Sequence, residues 1–139
     1  AGATRLLIAR NLDAIAAGTA PRIPQNEAEA TLFGRRTPAD GKIDWSGSAP
    51  EIYNLVRAVT HPFPGAFAFR EGRKLFIWEA LPEECLDDGT PPGTVLSRSP
   101  LRVKAGTGCL RILRAQFDGE PEQDGGSLGE TFGEGSLLE

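Results

Sequence analysis

The sequence predicts a mostly β domain with one packed helix, and three observations predict it. The stretch from Ser48 to the Pro62 break carries helical periodicity between a start signal and a stop signal. Beyond it the apolar pattern changes to a period of two. Turn and loop residues at Pro64-Gly65, Glu71-Gly72, Pro82 to Gly93 and Ala105 to Gly108 then divide that region into short runs. Five or six short strands are too many for a sheet of this size with both edges exposed, so the expected arrangement is a small closed barrel with the helix against it.

Taken from the amino terminus, Thr4 to Ala17 reads as a first helix. Thr4 is placed to cap it, Leu7, Ile8, Leu12 and Ile15 form an apolar face, and Gly18 stands where a left-handed C-terminal cap belongs. Pro21, Pro24 and the Glu27-Ala28-Glu29-Ala30 run read as connector, Thr31-Leu32-Phe33 as a short strand, and Arg35 to Gly41 as a surface linker.

The organising helix comes next. Ser48 followed by Glu51 is a capping-box pattern, and Pro50 falls in the first turn, where its missing N–H costs nothing. Ile52, Leu55, Val56 and Val59 recur at one helical face, while Asn54 and Arg57 sit elsewhere on the cylinder. Pro62 ends the helix and Pro64-Gly65 turns the chain.

Ala66-Phe67-Ala68-Phe69 and Leu75-Phe76-Ile77-Trp78 across Glu71-Gly72 read as a hairpin. Pro82 to Gly93 reads as a loop. Thr94-Val95-Leu96, Leu101 to Lys104 and Cys109 to Leu113 follow as strands, the last two joined by a Gly106-Thr107-Gly108 hairpin turn. Val103, Leu110 and Ile112 alternate with Arg102, Lys104, Arg111 and Arg114, the pattern of a sheet with one wet face. Several short antiparallel strands with one helix make this an OB-like barrel. Phe117 onward is acidic and Gly-rich, with Ser127 to Phe132 as a short helical piece. Leu138-Glu139 looks like a vector-derived end and is set aside in this reading.

Bulk properties narrow the function classes. The net charge of −4 is uneven: all 15 Lys and Arg lie before Gln116, and seven of the 19 acidic residues lie after it. This is not the one-sided positive charge of a non-specific nucleic-acid binder. No apolar run spans a bilayer and no secretory leader opens the chain, so no membrane partner is expected and the cytoplasm is the expected compartment. An Ala1 start with no methionine in the chain suggests a processed chain or a fragment. Cys85 and Cys109 match neither a disulfide framework nor a zinc spacing, so they read as two reduced, structurally incidental thiols and no metal is expected.

A family resemblance rests on particular residues. Gly34-Arg35-Arg36-Thr37-Pro38-Ala39-Asp40-Gly41-Lys42-Ile43, the Ile43-Asp44-Trp45 step, the Val56-Arg57-Ala58-Val59 helix end and the Pro62-Phe63-Pro64-Gly65-Ala66-Phe67 turn stand in a telling order and spacing. Together they resemble the linker and the start of the C-terminal domain of folate-dependent formyltransferases. The Arg35-Arg36-Thr37-Pro38 and Arg57-Ala58-Val59-Thr60 wording is more similar to the branch that formylates a UDP-linked amino-arabinose than to the methionyl-tRNA branch. Glu120, Glu122 and Asp124 stand where the tRNA branch typically carries basic residues, and carboxylates there would repel a phosphate backbone.

The resemblance implies a formyltransferase C-terminal-like barrel in a definite domain order. Residues 1–33 would be the last helix of the catalytic domain and a connector, loosely held here, 34–46 the linker, and 47–137 the barrel, with its acidic tail from 117. The implied partner is an N-terminal Rossmann-like catalytic domain. The parent enzyme would use formyltetrahydrofolate, with no cofactor bound by this fragment. The family's catalytic Asn, His and Asp lie in that other domain, so no catalytic residue is assigned here and the fragment is expected to be inactive alone. A nucleotide-sugar acceptor is favoured. The alternatives are a tRNA-binding domain of methionyl-tRNA formyltransferase, using Arg70, Arg73, Lys74, Lys104, Arg111 and Arg114 on one face, and a free-standing OB-like adaptor.

Candidate site residues are few. Arg35 and Arg36 are the substrate-binding candidates, because guanidinium groups suit a diphosphate or a uronate-like sugar. His61 is the one histidine, and its place at a helix end favours a structural role beside the last carbonyls. Asp44 and Glu51 read as strand-end and capping residues. Phe67, Phe69, Phe76 and Trp78 would stack bases if they faced outward, but their apolar neighbours favour the core.

Overall fold

The computed structural model describes residues 2–32 and 34–139 and separates into two compact units, Ala1–Arg35 and Arg36–Glu139. In the first unit, α1 spans Gly2–Ala16. Thr4 therefore lies inside the first turn and does not cap it. At the other end Gly18 has φ +69°, and Thr19 and Ala20 both return their N–H groups to the Ala14 carbonyl. No residue of α1 is buried, and Leu6, Leu7, Ile8, Leu12 and Ile15 are each more than half exposed. Thr31 and Leu32 form no strand. Phe33, the last residue of that expected strand, lies outside the described residues.

In the second unit α2 covers Ala49–Val59, and its start follows the predicted chemistry. The Ser48 side chain accepts from Glu51 N–H, while the Glu51 carboxylate accepts from the Ser48 N–H and hydroxyl. Ile52 and Val56 are buried, with Leu55 and Val59 packed at the margin. Asp44 accepts from the Ser46 N–H and hydroxyl in a local turn, where a strand end was expected.

Six antiparallel strands follow: β1 Ala66–Arg70, β2 Arg73–Glu83, β3 Val95–Arg98, β4 Leu101–Lys104, β5 Cys109–Phe117 and β6 Gln123–Asp124. Their order is β1-β2-β5-β4-β3, with β6 also on β5. Glu71 and Gly72 both have positive φ, as a two-residue hairpin turn requires. β2 is longer than the sequence suggests and runs through Pro82. Past Ile77 it has lost β1 as a neighbour and pairs with β5 alone, so a residue lacking N–H fits on the unpaired side. α3, Gly125–Gly129, is capped by Asp124, which accepts from the N–H groups of Gly126 and Ser127.

Four expectations are corrected. The sheet is not a closed barrel, because β1 and β3 do not pair. The carboxyl-terminal segment reaches both open edges instead: Ser136 and Leu138 bond Val95 and Gly93, and Glu139 exchanges two backbone bonds with Phe69. Leu138-Glu139 is thus integral to the fold, with Leu138 only 2% exposed within the core. Lys104 does not lie on a wet face; it is buried, because the chain after β2 folds over it. The remaining alternation is as expected, since Val103, Leu110 and Ile112 are buried while Arg102 and Arg111 are half-buried and Arg114 is exposed. Ile43 and Trp45, in the stretch read as linker, are core residues. Among the described residues no helix is long and apolar enough to cross a membrane.

The turn and cap carboxylates make stability depend on pH. Hydroxyl donors come first for Asp44 (Ser46), Glu51 (Ser48), Asp88 (Thr90) and Asp124 (Ser127), and the Thr37 N–H comes first for Asp40; each holds its carboxyl below the ordinary value. A folded pKa below the unfolded one gives stability that is present above the ordinary carboxylate range and is lost as pH falls through it. Thermal melts are expected to be flat above about pH 6 and to fall steadily below about pH 4.5, with a shallower fall in Glu51→Gln and Asp124→Asn. Equal slopes in the variants and the parent would contradict this assignment.

Candidate functional site

The segment after Arg35 is held in a defined shape. Thr37 caps a 3₁₀ turn over Pro38–Gly41, and Asp40 accepts from both the Thr37 N–H and the Thr37 hydroxyl. Ile43 N–H then bonds the Phe67 carbonyl, pinning the segment beside β1. Gly41 is buried, and a side chain there would collide with the Gly65 carbonyl. This close approach brings the 36–41 turn against the Phe63-Pro64-Gly65 turn.

A cavity of about 320 Å³ lies between those turns and the end of α2. Its wall includes Arg36, Thr37, Asp40, Val59, Phe63 and Gly65. An apolar surface with one guanidinium and one carboxylate is the composition of a small-molecule subsite. Backbone and hydroxyl bonds from Thr37, with Arg36 nearby, keep the Asp40 carboxyl below its ordinary value, so it is anionic at neutral pH. Phe63 is 59% exposed. Arg36 lines the cavity; Arg35 is exposed and belongs to the first unit. The residues that sequence reasoning missed as site residues are Asp40, Phe63 and Gly65. The available signal was an aromatic residue between two prolines in a turn, where a core role is unusual.

Gly65 also joins this cavity to a second feature. It has φ +90°, and a Cβ there would strike the Trp78 ring and crowd Phe76. Those rings belong to a row on one face of the β1–β2 hairpin, where Phe67 is buried as expected while Phe69, Phe76 and Trp78 are only half-buried, which corrects the core expectation for those three. Ala66, Ala68, Leu75 and Ile77 point inward and are fully buried. Alternation then turns Phe67, Phe69, Phe76 and Trp78 to the opposite face, where Phe67 is covered by its neighbours and the other three are partly open.

The rings are continuous. Phe69 and Phe67 centroids are 5.6 Å apart, Phe67 and Phe76 6.4 Å, Phe76 and Trp78 5.5 Å, and Trp78 stacks on His61 at 3.8 Å. Lys74 lies 3.9 Å above Phe67 and 4.6 Å above Phe76, and Lys42 5.7 Å from Phe69. Trp78 Nε1 donates to Gln116. His61 is therefore held by Trp78 and by Glu122, 2.6 Å from its Nε2, and not by the helix carbonyls.

The cations expected to form one basic face are engaged elsewhere. Arg73 pairs with Glu120 and Arg114 with Glu122. Arg111 lies 3.6 Å from Glu83, which also pairs with Arg102. Lys104 is buried, and Arg70 donates to the Thr131 carbonyl while covering the Phe132 ring. That leaves Lys74, seated on the aromatic row. Among the described residues no cluster of three or more His, Cys, Asp or Glu could hold a metal.

Residues 35–132 match the family described as formyl transferase, C-terminal domain. The chain belongs to this family. The match begins at Arg35 and covers the linker turn, the cavity and the aromatic row, so the features above lie within the family domain. Among solved structures, a variant of HypX from Aquifex aeolicus superposes with a TM-score of 0.59 at 21% identity, over 89% of this chain and 22% of that one. HypX from the same organism in complex with tetrahydrofolic acid gives 0.57 at 19% identity, over 87% of this chain and 22% of that one. At these identities the likeness is one of fold. This formyl transferase C-terminal domain spans about a fifth of the length of those chains.

Proposed function

We propose that this chain is the non-catalytic C-terminal domain of a folate-dependent formyltransferase and that it presents the Arg36 cavity to a nucleotide-linked amino sugar. The amine would receive its formyl group from formyltetrahydrofolate on an N-terminal catalytic domain, and we assign no residue of this chain to that donor. The observation that carries the acceptor reading is the pairing of the basic residues. Tail carboxylates occupy Arg73 and Arg114, which disfavours the tRNA alternative, since a phosphate backbone needs unpaired cations. Arg36, by contrast, sits beside Phe63 in an open pocket, a combination suited to one sugar diphosphate. The exposed apolar stripe of α1 supports a reading in which a catalytic domain covers it.

The test is an NMR titration of labelled protein with a UDP-amino sugar and, separately, with an acceptor-stem RNA. Shifts at Arg36, Phe63 and Gly65 are expected with the nucleotide sugar, weakened roughly tenfold in Arg36→Ala. Salt-sensitive shifts spread over Lys74 and Arg114 with RNA alone would replace this reading with the tRNA one. Turnover by the isolated chain with formyltetrahydrofolate and the amino sugar would overturn the non-catalytic assignment.

A further inference from the structure

Cys85 and Cys109, 24 positions apart in sequence, meet at the far end of the sheet from the Arg36 cavity. Cys109 opens β5, directly opposite Glu83 on β2 and directly opposite Lys104 on β4. Its sulfur reaches toward the Glu84 carbonyl at 4.0 Å. Cys85 follows Glu84 immediately, just past the end of β2, and its sulfur is reached by the side chain of Lys104, the residue opposite Cys109 on β4. With the Cys109 sulfur on the residue next to Cys85 and its ladder partner Lys104 on Cys85 itself, the two thiols are near neighbours in the fold instead of unrelated.

A buried cation completes the cluster. The Lys104 side chain is only 3% exposed. Its Nζ lies 3.9 Å from Cys85 Sγ and 3.4 Å from the Leu86 carbonyl, and its nearest carboxylate, Asp87 at 3.8 Å, is almost wholly in solvent. An ammonium this deeply placed and this loosely paired is costly unless it has a task or an anionic neighbour. Reactive thiols are found in electropositive, partly exposed surroundings, and Cys85 has both attributes: it is half-buried, next to the ammonium, and on the wall of an open cavity of about 460 Å³ with Pro50, Glu84 and Thr107. A small oxidant can enter there. Cys109, by contrast, is fully buried; burial first, then the neighbouring Cys85, pushes its thiol up to about 11. One partly exposed, cation-flanked thiol beside one sheltered thiol is the layout of an attacking and a resolving cysteine.

We propose that Cys85 and Cys109 form a peroxide-responsive dithiol that closes to an intramolecular disulfide. In the first step the Cys85 sulfur attacks one oxygen of hydrogen peroxide. The O–O bond breaks, Cys85 becomes a sulfenic acid, and one water leaves. In the second step the Cys109 sulfur attacks the Cys85 sulfur. The S–O bond breaks, the S–S bond forms, and the departing oxygen carries off the Cys109 proton as a second water. The two cysteines lose two electrons together and one peroxide gains them. Cys85 lies in irregular chain between β2 and β3, so it is the partner that adjusts to bond geometry. The bridge would tie the start of that loop to β5, beside the N-terminus of α2.

The experiment treats the intact 139-residue chain with a stoichiometric titration of hydrogen peroxide at neutral pH, followed by intact mass and peptide mapping without reductant. The expected result is a monomer two hydrogens lighter, a linked peptide containing Cys85 and Cys109, and reversal by dithiothreitol. In Cys109→Ser the same treatment is expected to stop at a sulfenic acid on Cys85, trapped by dimedone, while Cys85→Ser leaves Cys109 reduced. Oxygen added to Cys85 with the Cys109 thiol retained in the parent protein, a disulfide-linked dimer, or no reaction at either cysteine would each overturn the proposal.

Discussion

Deleting Ser136 to Glu139 is expected to lower the unfolding free energy by about 4 kcal/mol, a very large effect for four terminal residues. Two losses add. Leu138, 2% exposed, leaves a leucine-sized cavity in the core, for which about 2 to 3 kcal/mol is typical. The backbone bonds of Ser136, Leu138 and Glu139 to Val95, Gly93 and Phe69 also disappear, leaving both outer edges of the sheet without partners. Equilibrium denaturation of the truncated chain measures the sum, and Leu138→Ala isolates the first part. A loss below about 1 kcal/mol for the deletion would mean that the segment merely rests on the domain. Aggregation of the truncated form at concentrations where the parent stays monomeric would accompany a true loss of edge protection.

Gly106→Ala is the second change expected to be severe, at about 3 kcal/mol or more. Gly106 N–H is shared between the carbonyls of Trp45 (2.8 Å) and Gly47 (2.9 Å), which draws the β4–β5 turn onto the chain leading into α2. A Cβ built at Gly106 falls inside the Ser46 carbonyl, and that obstacle is backbone, so no rotamer change relieves it. The turn would have to withdraw, loosening Trp45 from the core. Gly133→Ala is the control: nothing lies within reach of its Cβ and its φ is not positive, so its melting curve should match the parent's. Parity between the two variants would show that the Gly106 contact is not a constraint.

What the sequence disclosed and what it hid follow from the range of the interactions concerned. α2 was readable because its cap, its Pro50 and its Ile52-Val56 face are all local. The β1–β2 hairpin was readable for the same reason, but not which way its rings point. Ala and Phe alternate on β1 and both are apolar, so hydropathy alone cannot choose the face; the choice is made by α2 packing on the small side. Lys104 was misplaced because a charged residue at an alternating position reads as solvated, and its cover comes from a loop about twenty residues away. The open sheet and its carboxyl-terminal tie were unreadable because Phe69 and Glu139 are far apart in sequence, and an acidic Gly-rich tail carries no pairing signal. Of the site, Arg36 was legible as a lone cation. Its Asp40 and Phe63 neighbours were not, since Gly41 and Gly65 bring them together through a backbone contact that no side-chain pattern records.

The arrangement of the two tryptophans gives the domain its own optical labels. Trp45 is enclosed in the core, whereas Trp78 is clasped between the imidazole of His61 and the ring of Phe76 and is only partly shielded from solvent. Their emission therefore reports separately on the interior and on the aromatic strip. Because Trp78 abuts Gly65, which lines the neighbouring hollow, the proposed binding of a nucleotide sugar there is expected to alter the emission of that one chromophore. In Trp45→Phe the remaining fluorescence belongs to the strip alone, so occupancy of the hollow can be followed in dilute solution without any attached dye.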